Sequence, residues 1–246
     1  MFNRETEQSI AHRSTVPDDI NEWLPGTVCL PVKGRHVLDA AALDNGRLYV
    51  VSMLTTDGLL YGNNYDGGEW GDDPVLIADD VTTVASDDRR LSIEFDASRK
   101  RLHLVYVDAR NILRYRFLDS PYRPEDWHPG HSNPGLELAS GVFTCALSID
   151  TSARPHELMI TYGVEKYAGR DKRERTGELY ARRYSGERWL GNVYLMSRPG
   201  TILNWYPNVN RDISHGICMM YSRSVNRDNP GQPLAVMVGI RRFGGD

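Results

Sequence analysis

The sequence predicts an all-β protein, a β-propeller of four blades with four antiparallel strands in each. Tryptophans recur at Trp23, Trp70, Trp127 and Trp189, with spacings of 47, 57 and 62 residues, which is the period of a propeller blade with insertions. Short apolar stretches alternate with Gly, Asp and Asn turns, and helical periodicity is absent. Together these patterns favour repeated four-stranded units over any helical class.

The clearest strand of each predicted blade is strand b, which is almost continuously apolar. Its copies read RLYVVSM (47–53), RLHLVYV (101–107), ELMITYG (157–163) and GICMMYS (216–222). Strands of this kind are typical of sheets that are buried on both faces, as blades are by their neighbours. The preceding strand a, expected innermost, ends at a turn residue in each repeat: Asp44, Asp96, Asp150 and Asn210. Such side chains fold back on the backbone and suit a short connection.

Strands c and d are joined by a turn that recurs as NYDGGEW (64–70) and RYSGERW (183–189). The glycines permit the tight turn, and the Trp anchors strand d. The last copy, RRFGGD (241–246), has no Trp after it, whereas NEWLPGTVCLPV (21–32) reads as a strand d with no strand c before it. We therefore expect the N-terminal strand to complete the last blade and close the ring. The predicted organisation is an N-terminal tail over 1–20 and a single propeller domain over 21–246.

Composition and charge exclude several classes of function. The chain has 246 residues, of which 40% are hydrophobic and 25% charged, with a net charge of −4 and scattered basic residues. This predicts a globular protein without a nucleic-acid or membrane partner. No apolar run could span a bilayer and no signal peptide is recognisable, so a cytoplasmic location is expected. Cys29, Cys145 and Cys218 have no metal-ligand spacing. We expect no metal and no cofactor.

A ligand site is expected where the loops from strand d to a and from b to c surround the central channel. The candidate ligand-binding residues at this rim are His36, Asp39, Arg89, Tyr162, Asn204, Trp205, Tyr206 and Tyr221. The tyrosines either pack between blades or form a collar around a pocket. Trp205 and Tyr206 either stack on a sugar or plug the axis.

Glu94 and Tyr106 are the candidate catalytic residues. Glu94 stands where the other repeats have Ala42, Ser148 and Asn208. A buried carboxylate requires a cationic partner or a shifted pKa, and Arg89, Arg90 and Arg101 are the expected partners. The sequence holds none of the hydrolase, zinc-protease or nucleotide-binding motifs.

Two charged or polar segments, 165–177 and 222–233, are expected as long loops between strands b and c. Most segments of this kind are solvated loops. The alternative is that they dock a protein partner.

The turn sequences resemble those of two propeller groups. Gly67 with Trp70, and Gly186 with Trp189, match the last fixed positions of the sialidase-type (BNR) repeat, and YDGGEW resembles fungal fucose-binding lectin propellers. The lectin resemblance implies sugar sites between blades, each with an Arg from strand b, a Glu from strand c and an aromatic residue. Arg47 and Arg101 begin strands b, but LLYGN and LRYRF contain no Glu. A single central pocket is therefore expected.

Three functions follow from these observations. The leading hypothesis is a propeller that binds a carbohydrate or another small organic molecule in one pocket at the channel mouth. The second is an enzyme that uses the same pocket, as a glycosidase, a lyase or a cyclase of specialised metabolism, with Glu94 and Tyr106 as acid and base. The third is a protein-interaction scaffold working through the two long loops.

Overall fold

The architecture is built from strands, as the sequence predicts. The computed structural model describes residues 2–3, 8–11, 25–30, 36–54, 56–81, 90–119, 121, 125–153, 155–168, 174–196, 204–209, 211–215, 217–223 and 235–241. Within these ranges the one helical element is a 3₁₀ turn at Asp44–Gly46. None of the described segments is a helix with the length and apolar character needed to cross a bilayer.

The described strands form an N-terminal sheet followed by four sheets that correspond to the four repeats. The N-terminal sheet contains β1 (Phe2–Asn3), β2 (Gln8–Ala11) and β3 (Thr27–Leu30). Sheet one contains β4 (His36–Ala42), β5 (Leu48–Leu54), β6 (Leu59–Asp66), β7 (Glu69–Trp70) and β8 (Val75–Ala78). Sheet two contains β9 (Leu91–Asp96), β10 (Arg101–Val107), β11 (Ile112–Asp119), β12 (Trp127–His128) and β13 (Leu136–Ser140). Sheet three contains β14 (Val142–Asp150), β15 (Glu157–Ala168), β16 (Glu174–Tyr184) and β17 (Trp189–Met196). Sheet four contains β18 (Asn204–Val209), β19 (Ile217–Arg223) and β20 (Ala235–Arg241).

The first strands of the four sheets lie side by side in chain order. β4 packs against β9, β9 against β14, and β14 against β18. Pairing within each sheet is antiparallel, and the second and third strands lie successively farther from this inner row. In sheets one and two the outermost position is shared by two short strands, β7 with β8 and β12 with β13. This radial arrangement is that of propeller blades.

The core lies between neighbouring sheets, because both faces of a blade are covered. One apolar cluster joins sheets one and two, and includes Tyr49, Leu104 and Trp127. A second joins sheets two and three, and includes Val105 and Ile160. Alternate residues of β10 supply the two clusters, which explains why strand b is apolar at nearly every position. Each fully buried aliphatic side chain contributes about 1.5–3 kcal/mol to stability.

The repeated turn behaves as the sequence indicates. Asp66 and Glu69 pair across a two-residue connection made by Gly67 and Gly68, whose φ angles are 63° and 102°. Both glycines therefore adopt the left-handed conformation of a type I′ hairpin turn, which other residues rarely adopt. The two glycines thus account for the recurrence of this turn in the sequence.

The N-terminal strand does not take the place predicted for it. Within the described residues β3 pairs with β2, in the segment expected to be a tail, and no pairing with β20 is present. The backbone hydrogen-bond partners of β3 are supplied by β2 (Gln8–Ala11).

β3 is nevertheless placed like an outer strand of the unit before sheet one. Asn63 Nδ2 donates to the Cys29 carbonyl at 2.9 Å, just as Arg182 Nη1 in sheet three donates to the Leu138 carbonyl of sheet two at 2.7 Å. Asn63 and Arg182 occupy matching positions, opposite Val50 and Ile160 respectively.

Candidate functional site

Arg211 links all four sheets at the inner row of strands. Its guanidinium donates to the Ala40 carbonyl at 2.7 Å, contacts Asp39, and lies 3.4 Å from Glu94 Oε1. Its carbonyl accepts the amide proton of Ile149 in sheet three at 2.7 Å. We call Asp39, Glu94 and Arg211 the axial cluster. It contains two carboxylates that are about nine-tenths buried and one guanidinium, an arrangement suited to holding sheets together.

The cationic group described beside Glu94 is Arg211, which the sequence did not single out. Arg101 pairs with Asp119, and Arg90 donates to Asn111 Oδ1 at 3.3 Å. Arg89 lies outside the described residues. Arg211 comes from a distant repeat, so local sequence patterns give no sign of its proximity to Glu94.

Glu94 and Tyr106 are not brought together. Glu94 pairs with His103, whereas Tyr106 pairs with Leu91, so the two side chains point to opposite faces of sheet two. Tyr106 is fully buried, and its hydroxyl donates to Asp80 and accepts from Arg116, each at 3.3 Å. Burial raises the pKa of Tyr106 to about 12. This geometry argues against the predicted acid–base pair.

The other predicted rim residues fall into two groups. Tyr162 is buried on β15 and stacks on Tyr180 with ring centroids 5.6 Å apart, and burial raises its pKa to about 12. This is a packing position. His36, Asn204, Trp205, Tyr206 and Tyr221 lie on described strands, but their side chains are outside the described part of the structure. Their binding roles stay predictions.

The two predicted long loops are also partly revised. β15 and β16 continue as a hairpin in which Glu165 pairs with Gly177 and Ala168 pairs with Glu174. The segment 165–177 is therefore largely an extended hairpin. In the other segment, Ser222 and Arg223 belong to β19, and 224–233 lies outside the described residues. A protein partner at either segment stays a prediction.

A pocket that the sequence did not single out lies beside strand b of the first repeat. It has a cavity volume of about 70 Å³ and is open to solvent, and we call it the first-repeat pocket; it is lined by Leu43, Arg47, Asn64, Tyr65 and Asp66. Arg47 Nε lies 2.9 Å from Asp66 Oδ1. Asn64 Oδ1 is buried and accepts no hydrogen bond from a described group. Tyr65 packs against Trp70 with ring centroids 5.1 Å apart. The pocket thus offers charged donors and acceptors beside an apolar side chain, Leu43, whereas the Tyr65 ring lies on the opposite face of β6.

The register explains how this pocket was missed. Leu48 pairs with Tyr65, so Arg47 stands opposite Asp66, the residue that begins the Gly-Gly turn. The carboxylate expected within strand c is therefore at its last position. In the second repeat the same holds, since Arg101 pairs with Asp119. Both acids, Asp66 and Asp119, could have been identified as the last residue of strand c, opposite the arginine that begins strand b.

A buried polar cluster lies between sheets two and three. Asp96 accepts hydrogen bonds from Ser98 and Arg99, and His156 Nδ1 lies 3.1 Å from its Oδ1. His103, fully buried, shares a hydrogen bond of 2.7 Å with the Tyr115 hydroxyl. Burial lowers the pKa of His103. Burial alone would raise the pKa of Asp96, but His103, Ser98 and Arg99 together hold it below its usual value.

This cluster has a structural role. The Arg99 guanidinium lies 2.6 Å from Asp96 and occupies the side that a cation would need. Among the described residues, no group of His, Cys, Asp and Glu side chains is arranged to hold a metal ion.

Comparison with solved structures identifies propellers of known ligand. A lectin of Aleuria aurantia, in complex with alpha-methyl-L-fucoside, matches 92% of this chain and 68% of its own length, with a TM-score of 0.57 and 16% identity. The SapL1 lectin, in complex with alpha methyl fucoside, matches 91% and 72%, with a TM-score of 0.52 and 13% identity. An alpha-L-arabinanase of Penicillium chrysogenum, complexed with arabinobiose, matches 83% and 62%, with a TM-score of 0.50 and 13% identity.

These similarities confirm the β-propeller fold and the predicted resemblance to lectin-like propellers. No protein-family model and no curated protein matches the sequence. At this level of identity the comparison establishes the fold alone.

Proposed function

We propose that the chain binds a small carbohydrate in the first-repeat pocket and does not transform it. The observation that carries this proposal is the composition of the pocket: the Arg47 guanidinium and the Asp66 carboxylate lie 2.9 Å apart, beside the buried acceptor Asn64 Oδ1 and the apolar side chain of Leu43. Neighbouring hydroxyls of a sugar are both donors and acceptors, so they match an adjacent guanidinium and carboxylate.

Each lining residue has a distinct role in this proposal. Arg47 donates to two sugar oxygens, and Asp66 accepts from a hydroxyl. Asn64 Oδ1 accepts a further hydroxyl proton, which satisfies an acceptor that is otherwise costly to bury. Leu43 contacts the apolar face of the sugar.

The similarity to solved lectins supports the same class of ligand. Two of these lectins are in complex with methyl fucosides. The enzyme alternative has less support, because Glu94 is held by Arg211 and faces away from Tyr106.

The proposed ring has four blades, with sheets one and four meeting at the axial cluster. The support for this closure is the reach of Arg211 to Asp39 and Ala40 on β4. The channel mouth, with Trp205 and Tyr206, is the alternative location for the ligand, predicted from the sequence.

The test is a screen of methyl glycosides followed by titration calorimetry. Arg47→Ala is expected to weaken binding at least about tenfold, since a hydrogen bond to a charged group contributes roughly 1.5–3 kcal/mol. Stability should change by less than about 1 kcal/mol, because the pair is on the surface.

Arg183→Ala is the matched control, since Arg183 also pairs with a carboxylate on the surface, Glu157. It should bind like the wild type. Loss of binding in Trp205→Ala with full binding in Arg47→Ala would move the site to the channel mouth. Failure of every glycoside to bind would refute the proposed function.

A further inference from the structure

The residues that form the first-repeat pocket have counterparts in the next two repeats. Asn64 stands opposite Tyr49, Phe117 opposite His103, and Arg183 opposite Met159. The first position of strand b reads Arg47, Arg101, Glu157 and Gly216 in the four repeats. Equivalent sites can therefore be compared position by position.

In the second repeat an aromatic ring stands where the first repeat has an amide. The Arg101 guanidinium lies over the Phe117 ring, 4.3 Å from its centroid. The edge of the guanidinium donates to Asp119 through Nε at 2.5 Å and through Nη2 at 3.0 Å. His128 packs against Phe117 with ring centroids 5.1 Å apart and fixes its position. One face of the Arg101 guanidinium and the edge that carries Nε and Nη2 are thus occupied.

In the third repeat an acid stands at the arginine position and an arginine at the position of Asn64. Glu157 takes the place of the arginine, and Arg183 pairs with it. Arg183 Nε donates to Glu157 Oε2 at 2.6 Å. The fourth repeat has Gly216 at this position and so lacks a charged side chain there.

We infer that Phe117 determines how many ligands the chain binds: it closes the second-repeat site, so that the chain presents one sugar site of this kind, at Arg47. The inference rests on the proposed function. Arg47 and Asp66 retain the charge pair that Arg101 and Asp119 also have. The decisive difference is the residue beside the arginine, because Asn64 offers a polar acceptor whereas Phe117 covers the guanidinium. Removing the ring and supplying an amide should open the second site.

The experiment measures stoichiometry by titration calorimetry, with the best binder among the methyl glycosides of fucose, mannose and galactose. The wild type should bind one ligand per chain, and Phe117→Asn should bind two. Phe117→Leu, which removes the ring without supplying an acceptor, is the control and should bind one. The double variant Arg47→Ala with Phe117→Asn should bind one, now at Arg101. Thermal melting checks that each variant is folded.

The outcomes separate the inference from the proposed function. Two ligands per wild-type chain, or one ligand per folded Phe117→Asn chain, would overturn the inference while leaving sugar binding intact. If Phe117→Asn does not fold, Arg47→Ala decides: abolished binding supports a single site, and residual binding of equal affinity contradicts it. Absence of binding by the wild type would overturn the proposed function itself.

Discussion

The two faces of sheet two are buried against different kinds of side chain, apolar toward sheet one and partly polar toward sheet three. Toward sheet one, Leu102, Leu104 and Tyr106 join an apolar cluster, and Trp127 Nε1 donates to the Tyr49 hydroxyl at 3.0 Å. Toward sheet three, His103 stands at the position that Tyr49 has in sheet one, and it lies beside the buried Asp96.

The tryptophan of sheet three shows the consequence of this exchange. Trp189 Nε1 is buried and has no acceptor among the described groups. Tyr49 and His103 hold equivalent positions in the two repeats. The histidine in place of the tyrosine changes a hydrogen-bonded apolar interface into a polar, titratable one. The rims of the two interfaces differ as well, since one holds the first-repeat pocket and the other is closed by Phe117.

The largest effect is expected from Arg116→Met on the face toward sheet one. Arg116 is almost fully buried and donates to the carbonyls of Pro129, Gly130 and Asn133. Its removal leaves these acceptors without donors, at a cost of about 3 kcal/mol or more in the free energy of unfolding. Chemical denaturation measures this loss. Arg110→Met, at an exposed arginine, is the control, and equal stability of the two variants would contradict the account.

Tyr49→Phe sharpens the comparison with a smaller change. It removes the acceptor of Trp127 Nε1 and should lower the free energy of unfolding by about 1–2 kcal/mol. Trp189 already lacks such an acceptor, so Trp189→Phe should cost less than Trp127→Phe. Denaturation of both tryptophan variants checks the order, which would be reversed if the hydrogen bond were unimportant.

The pH dependence of stability should arise at the interface with sheet three. Because burial lowers the pKa of His103, the folded state binds its proton less readily, and stability should fall as the pH drops below about 6.5. The lowered pKa of Asp96 adds a loss below about pH 4, where the unfolded carboxyl binds a proton. The charged and titratable neighbours are Arg99, Arg101, Tyr115, Tyr184 and His156.

His103→Gln tests this assignment. It should reduce the loss of stability between pH 7 and pH 5 and leave the loss near pH 4. His131→Gln, at an exposed histidine, should leave the wild-type profile. An unchanged slope in His103→Gln would show that another group titrates.

The smallest effect is expected for the surface pair of the third repeat. Arg183 is 59% exposed, so Glu157→Gln should change the free energy of unfolding by less than about 1 kcal/mol. High salt should abolish even this difference. A larger loss would mean that this charge pair contributes to folding.

The sequence predicted the parts of this fold that depend on local pattern. Strand b over 101–107 coincides with β10, and Asp96 and Asp150 accept backbone amide protons at the predicted turns. Such features depend on alternation and on turn chemistry within a few residues.

The sequence did not predict which distant segments of the chain meet. The pairing of β3 with β2 and the reach of Arg211 to Asp39 depend on which distant groups meet. Likewise, Arg47 and Arg101 have the same position in sequence, but only the structure shows that Phe117 covers one of them.

The most direct test of the central claim is the titration of Arg47→Ala and Arg183→Ala with the methyl glycoside that the wild type binds best. The account predicts loss of binding in Arg47→Ala, wild-type binding in Arg183→Ala, and unchanged melting of both proteins. Wild-type binding by a folded Arg47→Ala variant would contradict the claim that the first-repeat pocket holds the sugar.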